Sequence, residues 1–359
     1  MSRFLIYGAN GYTGGLIARE AVRRGLGPTF AGRNEEAVRR LAGELGCESR
    51  VAGLDDRAAL RQALRGVDAV LHCAGPFSAT AAPMIEACLA EGVHYLDVTG
   101  EYEVFEAARA LDGDAVRAGI VICPGVGFDV VPTDCIAAAL KQALPDATYL
   151  ALGFDSQSGV SHGTARSTIE GLAGGGRIRS AGRLVPVAHA FRVRDIDYGD
   201  GPKSSATIPW GDVSTAYFTT GIPNIECYVP MSPRRIAAVR RLNRILPVLR
   251  IGAVQSFLKS RVSRSGAGPG PAERERTGTL VWGEAQAPSG ELRTLRIAMG
   301  NIYDVTVHAA LGVLARVLQQ PQPGYRTPSQ VVGSRFVEEL PGAGRLSLTS
   351  GRAWEPRPS

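Results

Sequence analysis

Three glycines near the start of the chain, Gly8, Gly11 and Gly14, have the spacing to hold a phosphate. They lie between an apolar run at 4–7 and a helical pattern at 15–24. A strand that turns sharply into a helix needs a first glycine for the bend. A diphosphate then approaches only where no Cβ blocks it, and a third small residue lets helix and strand pack closely. Free N–H groups at the helix start point at the anion. The pattern is G-x-x-G-x-x-G, a relative of the G-x-G-x-x-G turn. Asn10, Tyr12 and Thr13 stand between the glycines and belong to the same cradle.

The next residues indicate whose phosphate it is. An NAD-selective site wants a carboxylate after the second strand, to accept from the ribose 2′-hydroxyl. This chain offers Gly32, Arg33 and Asn34 there, so an arginine sits where the 2′-phosphate of NADP(H) would lie. Asn34 also suits a helix cap, and Glu35 reaching the ribose is the alternative. Asp55, after the third strand, suits an adenine amino contact or a plain helix cap. Beyond the fourth strand, "HCAGPFSATAAP" puts Ala74, Gly75 and Pro76 on the nicotinamide path, with Phe77 on the nicotinamide or substrate side. His72, inside an apolar strand, reads as a satisfied core histidine.

Hydride transfer needs an acceptor held near the nicotinamide and a donor for the partner atom. The loops that must face the cofactor supply the candidates. Asp129 in "GFDVVPTD" is the first choice for a catalytic group, a helix cap being its alternative. Tyr303 is a second proton-donor candidate. Thr99 and Glu101 in "LDVTGE", and Ser161 and Thr164 in "SHGT", are candidates for substrate binding, Thr164 doubling as an N-cap.

The elements that position these residues alternate. Short apolar strands at 4–7, 28–31, 50–53, 69–73, 95–98 and 120–123 are separated by helical patterns at 15–24, 35–44, 57–64, 83–91 and 104–117. That predicts an α/β fold, an N-terminal Rossmann domain with a parallel doubly wound sheet over 1–130. After it the strands alternate in polarity, predicting an inserted α+β second domain over 131–300 for substrate or dimerisation. A helical segment at 301–345 returns to the first domain, and 346–359 reads as a tail. Residues 233–262 form a basic amphipathic stretch kinked at Pro247, read as a core-packed helix pair, a dock for an acidic carrier protein, or a peripheral membrane contact.

Composition sets outer bounds. The 359 residues carry a net charge of +6, almost wholly from arginine, and lysine occurs only at Lys141, Lys203 and Lys259. A mild, dispersed excess favours anionic ligands over nucleic acid. The six cysteines show no C-x-x-C pair and no metal spacing, so no metal site is expected. Neither a signal segment nor a membrane-spanning run is recognisable, which predicts a cytoplasmic protein.

Taken together, "YGANGYTG", "AGRN", "HCAGPF", "YLDVTGE" and "GFDVVPTD" resemble the saccharopine dehydrogenase-like family, most closely its short bacterial branch of trans-acting enoyl reductases. The resemblance continues through "SHGTARSTIEGL", "IPWGDVSTAYFTTGIPNIECY" and "GYRTPSQVVGSRFVEELPG". It implies a Rossmann domain, an inserted α+β domain, a nicotinamide cofactor, usually NADPH, and reduction of a C=C bond in a small-molecule or carrier-bound enoyl substrate. The alternatives are saccharopine-type reduction of an imine and a catalytically silent NADP(H)-binding regulatory or membrane-associated protein. Two departures bear on this. Asn301, Ile302, Tyr303 and Asp304 replace a Pro–Glu–Gly–Tyr turn of relatives, keeping only the tyrosine, and no Tyr-x-x-x-Lys exists to support short-chain dehydrogenase chemistry. A homodimer through the middle-domain sheet is a further expectation.

Overall fold

A computed structural model describes residues 3–159, 171, 174–249, 251–252, 254 and 268–352. Six short strands build most of the first sheet: β1 (Phe4–Tyr7), β2 (Thr29–Gly32), β3 (Ser49–Val51), β4 (Ala69–His72), β5 (His94–Asp97) and β6 (Val121–Cys123). β1, β2, β4 and β6 are buried along their whole length, as strands covered on both faces must be. The helices α1 (Tyr12–Arg23), α2 (Glu35–Leu45), α3 (Arg57–Leu64), α4 (Phe77–Glu91), α5 (Tyr102–Ala110) and α6 (Asp112–Ala118) provide that cover. The next helix, α7 (Val131–Ala143), leads into the second domain.

Its strands are β7 (Tyr149–Ser156), β8 (Gly176–Ser180), β9 (Arg183–Val187), β10 (Val193–Asp197), β11 (Pro202–Ile208), β12 (Asn224–Pro230), β13 (Thr279–Gln286) and β14 (Glu291–Met299). The chain then returns to the first sheet through the Ile302–Gln319 helix and β15 (Gly324–Tyr325), before β16 (Ser347–Arg352). The first sheet has the order β15-β6-β5-β4-β1-β2-β3, and every pairing in it is parallel. Strand order reverses at β1, which lies between β2 and β4. A ligand crevice opens at such a switch point, at the carboxyl ends of the strands.

The second sheet runs β10-β11-β12-β7-β13-β14-β16, with β8 and β9 attached through β12. Its pairings are antiparallel except β12 with β7. One face packs on α7, while the Ile302–Gln319 helix packs on α1, β4 and β5 of the first domain, and the shared core includes Ile136, Leu140, Leu152, Val281, Ile297 and Leu311. The domains are also tied by Arg179, which is nearly buried. It bonds the Val213 carbonyl at 2.6 Å, pairs with Glu106 of α5 and lies 4.2 Å from the Tyr217 ring centre.

Local outcomes differ from the sequence expectation in four places. α4 begins at Phe77 rather than at residue 83, running through Pro83 because its first turn is held from outside by Glu101. The helix expected over 104–117 breaks at Leu111 into α5 and α6. In the basic stretch the Pro233–Leu242 helix passes into a 3-10 turn at Asn243–Ile245. Within the expected tail, residues 347–352 pair with β14 as β16, because the alternating "LSLTS" covers an open strand edge.

Candidate functional site

At the end of β1, Gly8 has φ +81°, and a Cβ there would lie 2.9 Å from the Ala74 Cβ. A Cβ on Gly14 would come within 2.3 Å of the Gly8 carbonyl oxygen, so the turn closes only with glycine at both positions. Gly11 is the N-cap of α1 and provides no side-chain cap, and the first turn of α1 carries no acid. Uncapped N–H groups and a positive helix end therefore face the crevice. α2 contrasts with this: Asn34 accepts from the Ala37 N–H at 3.0 Å, and Glu35 and Glu36 fill the first turn. One N-terminus is built for an outside anion and the other is satisfied internally.

Arg33 and Asp55 converge at the carboxyl ends of β2 and β3. Both act on the Tyr7 hydroxyl, whose pKa burial pushes up to about 12, Arg33 opposing and Asp55 adding to the rise. Arg33 is exposed and forms no hydrogen bond or ion pair among the described residues, while Glu35 pairs with Arg39 at 2.8 Å. The cap of α3 is Asp56, which accepts from Ala58 and Ala59, so Asp55 is not consumed as a cap. Asn34 is the α2 cap as well as a neighbour of Arg33. The residues on this side fit the diphosphate, the adenosine and a 2′-phosphate. Arg33→Ala is expected to weaken NADPH binding about tenfold or more while leaving NADH nearly unchanged, since a charge-assisted hydrogen bond contributes about 1.5–3 kcal/mol. Fluorescence titration with both nucleotides checks it, and equal losses would count against the assignment.

Gly75 and Pro76, joined by a cis peptide, carry the chain from β4 into α4, and the Thr80 hydroxyl ties this loop by donating to the carbonyls of Ala74 (2.7 Å) and Pro76 (3.0 Å). Several residues expected on the substrate side have other work. The Phe77 ring is turned into the first-domain core, edge-on to His72 at 5.4 Å. Thr99 is fully buried and accepts from the Glu101 N–H at 3.1 Å. Glu101 caps α4, accepting from the N–H groups of Phe77 (3.0 Å) and Ser78 (2.6 Å). Beneath them Asp97, fully buried, receives the Thr99 and Gly125 N–H groups and the Tyr95 hydroxyl. Short polar side chains in a tight loop satisfy the backbone before they reach a ligand. His72 is buried as expected, but neither ring nitrogen has a hydrogen-bond partner among the described residues, unlike the satisfied core histidine expected. Ser161 and Thr164 lie outside the described residues.

Asp129 differs from these. Its carboxyl lies against Gly100, where a Cβ would stand 3.0 Å from Oδ2, and it accepts no hydrogen bond among the described residues. Burial, and then the negative charge of Glu101, hold its pKa up at about 7. Its backbone carbonyl accepts from Trp210 Nε1 at 2.8 Å, which fixes the residue without using the carboxyl. It does not cap α7. Asp134, its neighbour in the motif, is a structural acid, held by the Thr219 hydroxyl (2.5 Å) and the Ser329 N–H (2.8 Å).

The second domain contributes residues that sequence reasoning missed. Phe154 of β7 stacks between Phe128 (5.5 Å) and Trp210 (5.0 Å), making an aromatic wall beside Asp129. Asp212, also buried, accepts from the Thr133 hydroxyl at 2.6 Å, and burial and the nearby aspartates push its pKa well up. Trp210 and Asp212 stand in "IPWGD", where tryptophan beside acid was the available signal. Tyr303 is 4% exposed and packs edge-on against Tyr12 of the glycine turn at 4.9 Å. The Tyr12 hydroxyl donates to the Pro269 carbonyl at 2.5 Å, and Arg274, paired with Asp304 at 3.0 Å, stands beside it. The second domain thus covers the phosphate turn with a short strap.

A doubly wound sheet, an uncapped glycine turn at its switch point and a lone arginine after β2 define a dinucleotide-binding protein. Residues 4–123 match the family described as saccharopine dehydrogenase NADP binding domain, and the first domain belongs to it. Over those residues the chain is similar to saccharopine dehydrogenase-like proteins, and the cofactor its first domain takes is NADP(H). It is 29% identical over 206 residues to an Arabidopsis thaliana protein named as a mitochondrial saccharopine dehydrogenase-like oxidoreductase, covering 51% of this chain and 45% of that one. It is 31% identical over 187 residues to a Mycobacterium tuberculosis protein named as a trans-acting enoyl reductase, covering 47% and 44%. The matched segments thus span less than half of either relative. Saccharopine dehydrogenase (L-Glu forming) from Saccharomyces cerevisiae superposes with a TM-score of 0.67 at 11% identity, covering 98% of this chain and all of that one, a likeness of fold. No described helix is long and apolar enough to cross a membrane.

Proposed function

We propose that this chain is an NADPH-dependent reductase of the C=C bond of an enoyl thioester, with Asp129 as the proton donor. The observation that carries the reading is the Asp129 carboxyl, which has no hydrogen-bond partner among the described residues, is kept neutral to about pH 7 and stands beside the wall of Phe154 and Trp210. The cofactor, when bound, supplies a hydride, which would reach the β-carbon of the substrate. Asp129 would deliver its proton to the α-carbon, so two electrons and one proton balance the reduction. The glycine turn and the first turn of α1 hold the diphosphate, and Arg33 selects the 2′-phosphate. Phe154 and Trp210 offer apolar aromatic surface to an acyl chain and keep water from the reacting carbons. Tyr303 acts as a wall of the cofactor turn through Tyr12. The name of the mycobacterial relative agrees with an acyl substrate.

NADPH oxidation measured in parallel against enoyl thioesters of graded chain length, and against 2-oxo acids paired with amino acids, tests this. Turnover of the first panel alone is expected. Turnover of the second alone would replace the reading with imine reduction, and silence in both with NADPH bound would reduce the protein to a nucleotide binder. Glu101→Gln adds an internal check. Removing the charge that raises the Asp129 pKa should move the alkaline limb of the pH–rate profile to lower pH, and an unmoved limb would separate Asp129 from that limb.

A further inference from the structure

The Pro233–Leu242 helix packs on the second domain through Ile236, which joins Ala190 and Ala206 with Val193, Met231 and Val239 around them. Asn243 continues the inward side, its Oδ1 accepting from the His189 N–H at 2.8 Å. The opposite side is uncovered. Arg234, Arg235, Arg241 and Arg244 are exposed there and form no ion pair among the described residues. Just beyond them Ile245, Val248 and Ile251 are 45%, 49% and 52% exposed. Phe191 is also exposed, next to Ala190, whose carbonyl receives Arg240 at 3.1 Å. From 233 to 262 the sequence holds no aspartate or glutamate.

We propose that this face docks on an anionic lipid surface. Scattered exposed aliphatics need no explanation, but three within seven residues, following arginines with no ion pair among the described residues, do. An acidic protein would pair the arginines and leave the aliphatic side chains without a complement. A bilayer interface accepts both, the guanidinium groups among phosphate headgroups and the aliphatic side chains at the acyl boundary. The contact is peripheral, with Ile236 and Val239 remaining packed on the second domain. The proposal is independent of the reaction catalysed, and it would bring the protein to the phase where long acyl chains reside.

Flotation of the full chain with vesicles tests it. Binding is expected to vesicles of equal parts phosphatidylcholine and phosphatidylglycerol and not to phosphatidylcholine alone, weakening as salt is raised. The double variants Ile245→Asp/Val248→Asp and Arg241→Glu/Arg244→Glu should each lower the bound fraction about tenfold or more. Unchanged NADPH binding by both variants will show that they are folded. Absence of flotation, flotation unaffected by either double variant, or retention on an immobilised acidic carrier protein without vesicle binding would each overturn the proposal.

Discussion

Asp129→Asn is expected to lower turnover of an enoyl thioester by about two to four orders of magnitude while NADPH affinity stays unchanged. The split follows from position. Asp129 stands at the end of the β6 loop beside Gly100 and Trp210, whereas the glycine turn and Arg33, proposed to hold the nucleotide, follow β1 and β2. Asparagine keeps the volume and the backbone bond to Trp210 but has no acid proton. The pH profile supplies a second reading. A donor works in its protonated form, so kcat/KM in the wild type should be flat on the acid side and fall as pH rises through about 7. The same shift has a definite sign in stability. A carboxyl whose folded pKa is raised favours the fold fully below its ordinary value of 3.8, and that contribution is lost as pH rises through about 7. Thermal melting of Asp129→Asn should therefore lack one component of the wild type's decline between pH 3.8 and about 7. A variant with full turnover, or with turnover and NADPH affinity lost in parallel, would remove Asp129 from the chemistry.

Gly14→Ala should lower NADPH affinity by about two orders of magnitude or more, because the added methyl has no side chain to push aside. It meets the Gly8 carbonyl oxygen at 2.3 Å and the Gly8 carbonyl carbon at 2.9 Å, both backbone atoms of the turn proposed to receive the diphosphate. Relief requires the start of α1 to move away from β1, which turns its N–H groups off the anion. Gly15→Ala is the matched control, since its Cβ would stand 3.4 Å from the nearest atom, at ordinary contact distance. Calorimetric titration of both variants with NADPH separates the effects. Equal affinities for Gly14→Ala and Gly15→Ala would mean that the close approach is not needed for binding.

Much of the first domain was legible in the sequence, because its signals are local. A glycine turn, the residue after β2 and the alternation of short apolar strands with amphipathic helices each occupy a few consecutive positions. Local backbone sterics and burial on both faces dictate them with little help from elsewhere. Arg33 and the glycines could therefore be named as candidates from their order along the chain, and Asp129 from its motif. Even within loops the reading reached its bounds: Phe77, Thr99 and Glu101 were expected to face a substrate, and the fold uses them to pack a core, bond a loop and cap a helix.

What remained was decided only by tertiary contact. Asp129 titrates near neutrality because burial and Glu101, brought close by the β5 loop, penalise its charge, and neither cause is visible in residue spacing. The aromatic wall joins Phe128, Phe154 and Trp210 from three separate stretches of chain. Tyr12 meets Pro269 across 257 positions, and residues read as a tail close the edge of β14. The sequence by itself determined the glycine turn and helix end of a dinucleotide-binding domain, since these depend on local residues. Where the reacting carbons would lie was decided by the packing of the second domain on the first, since pKa and exclusion of water are properties of surroundings and not of residue type.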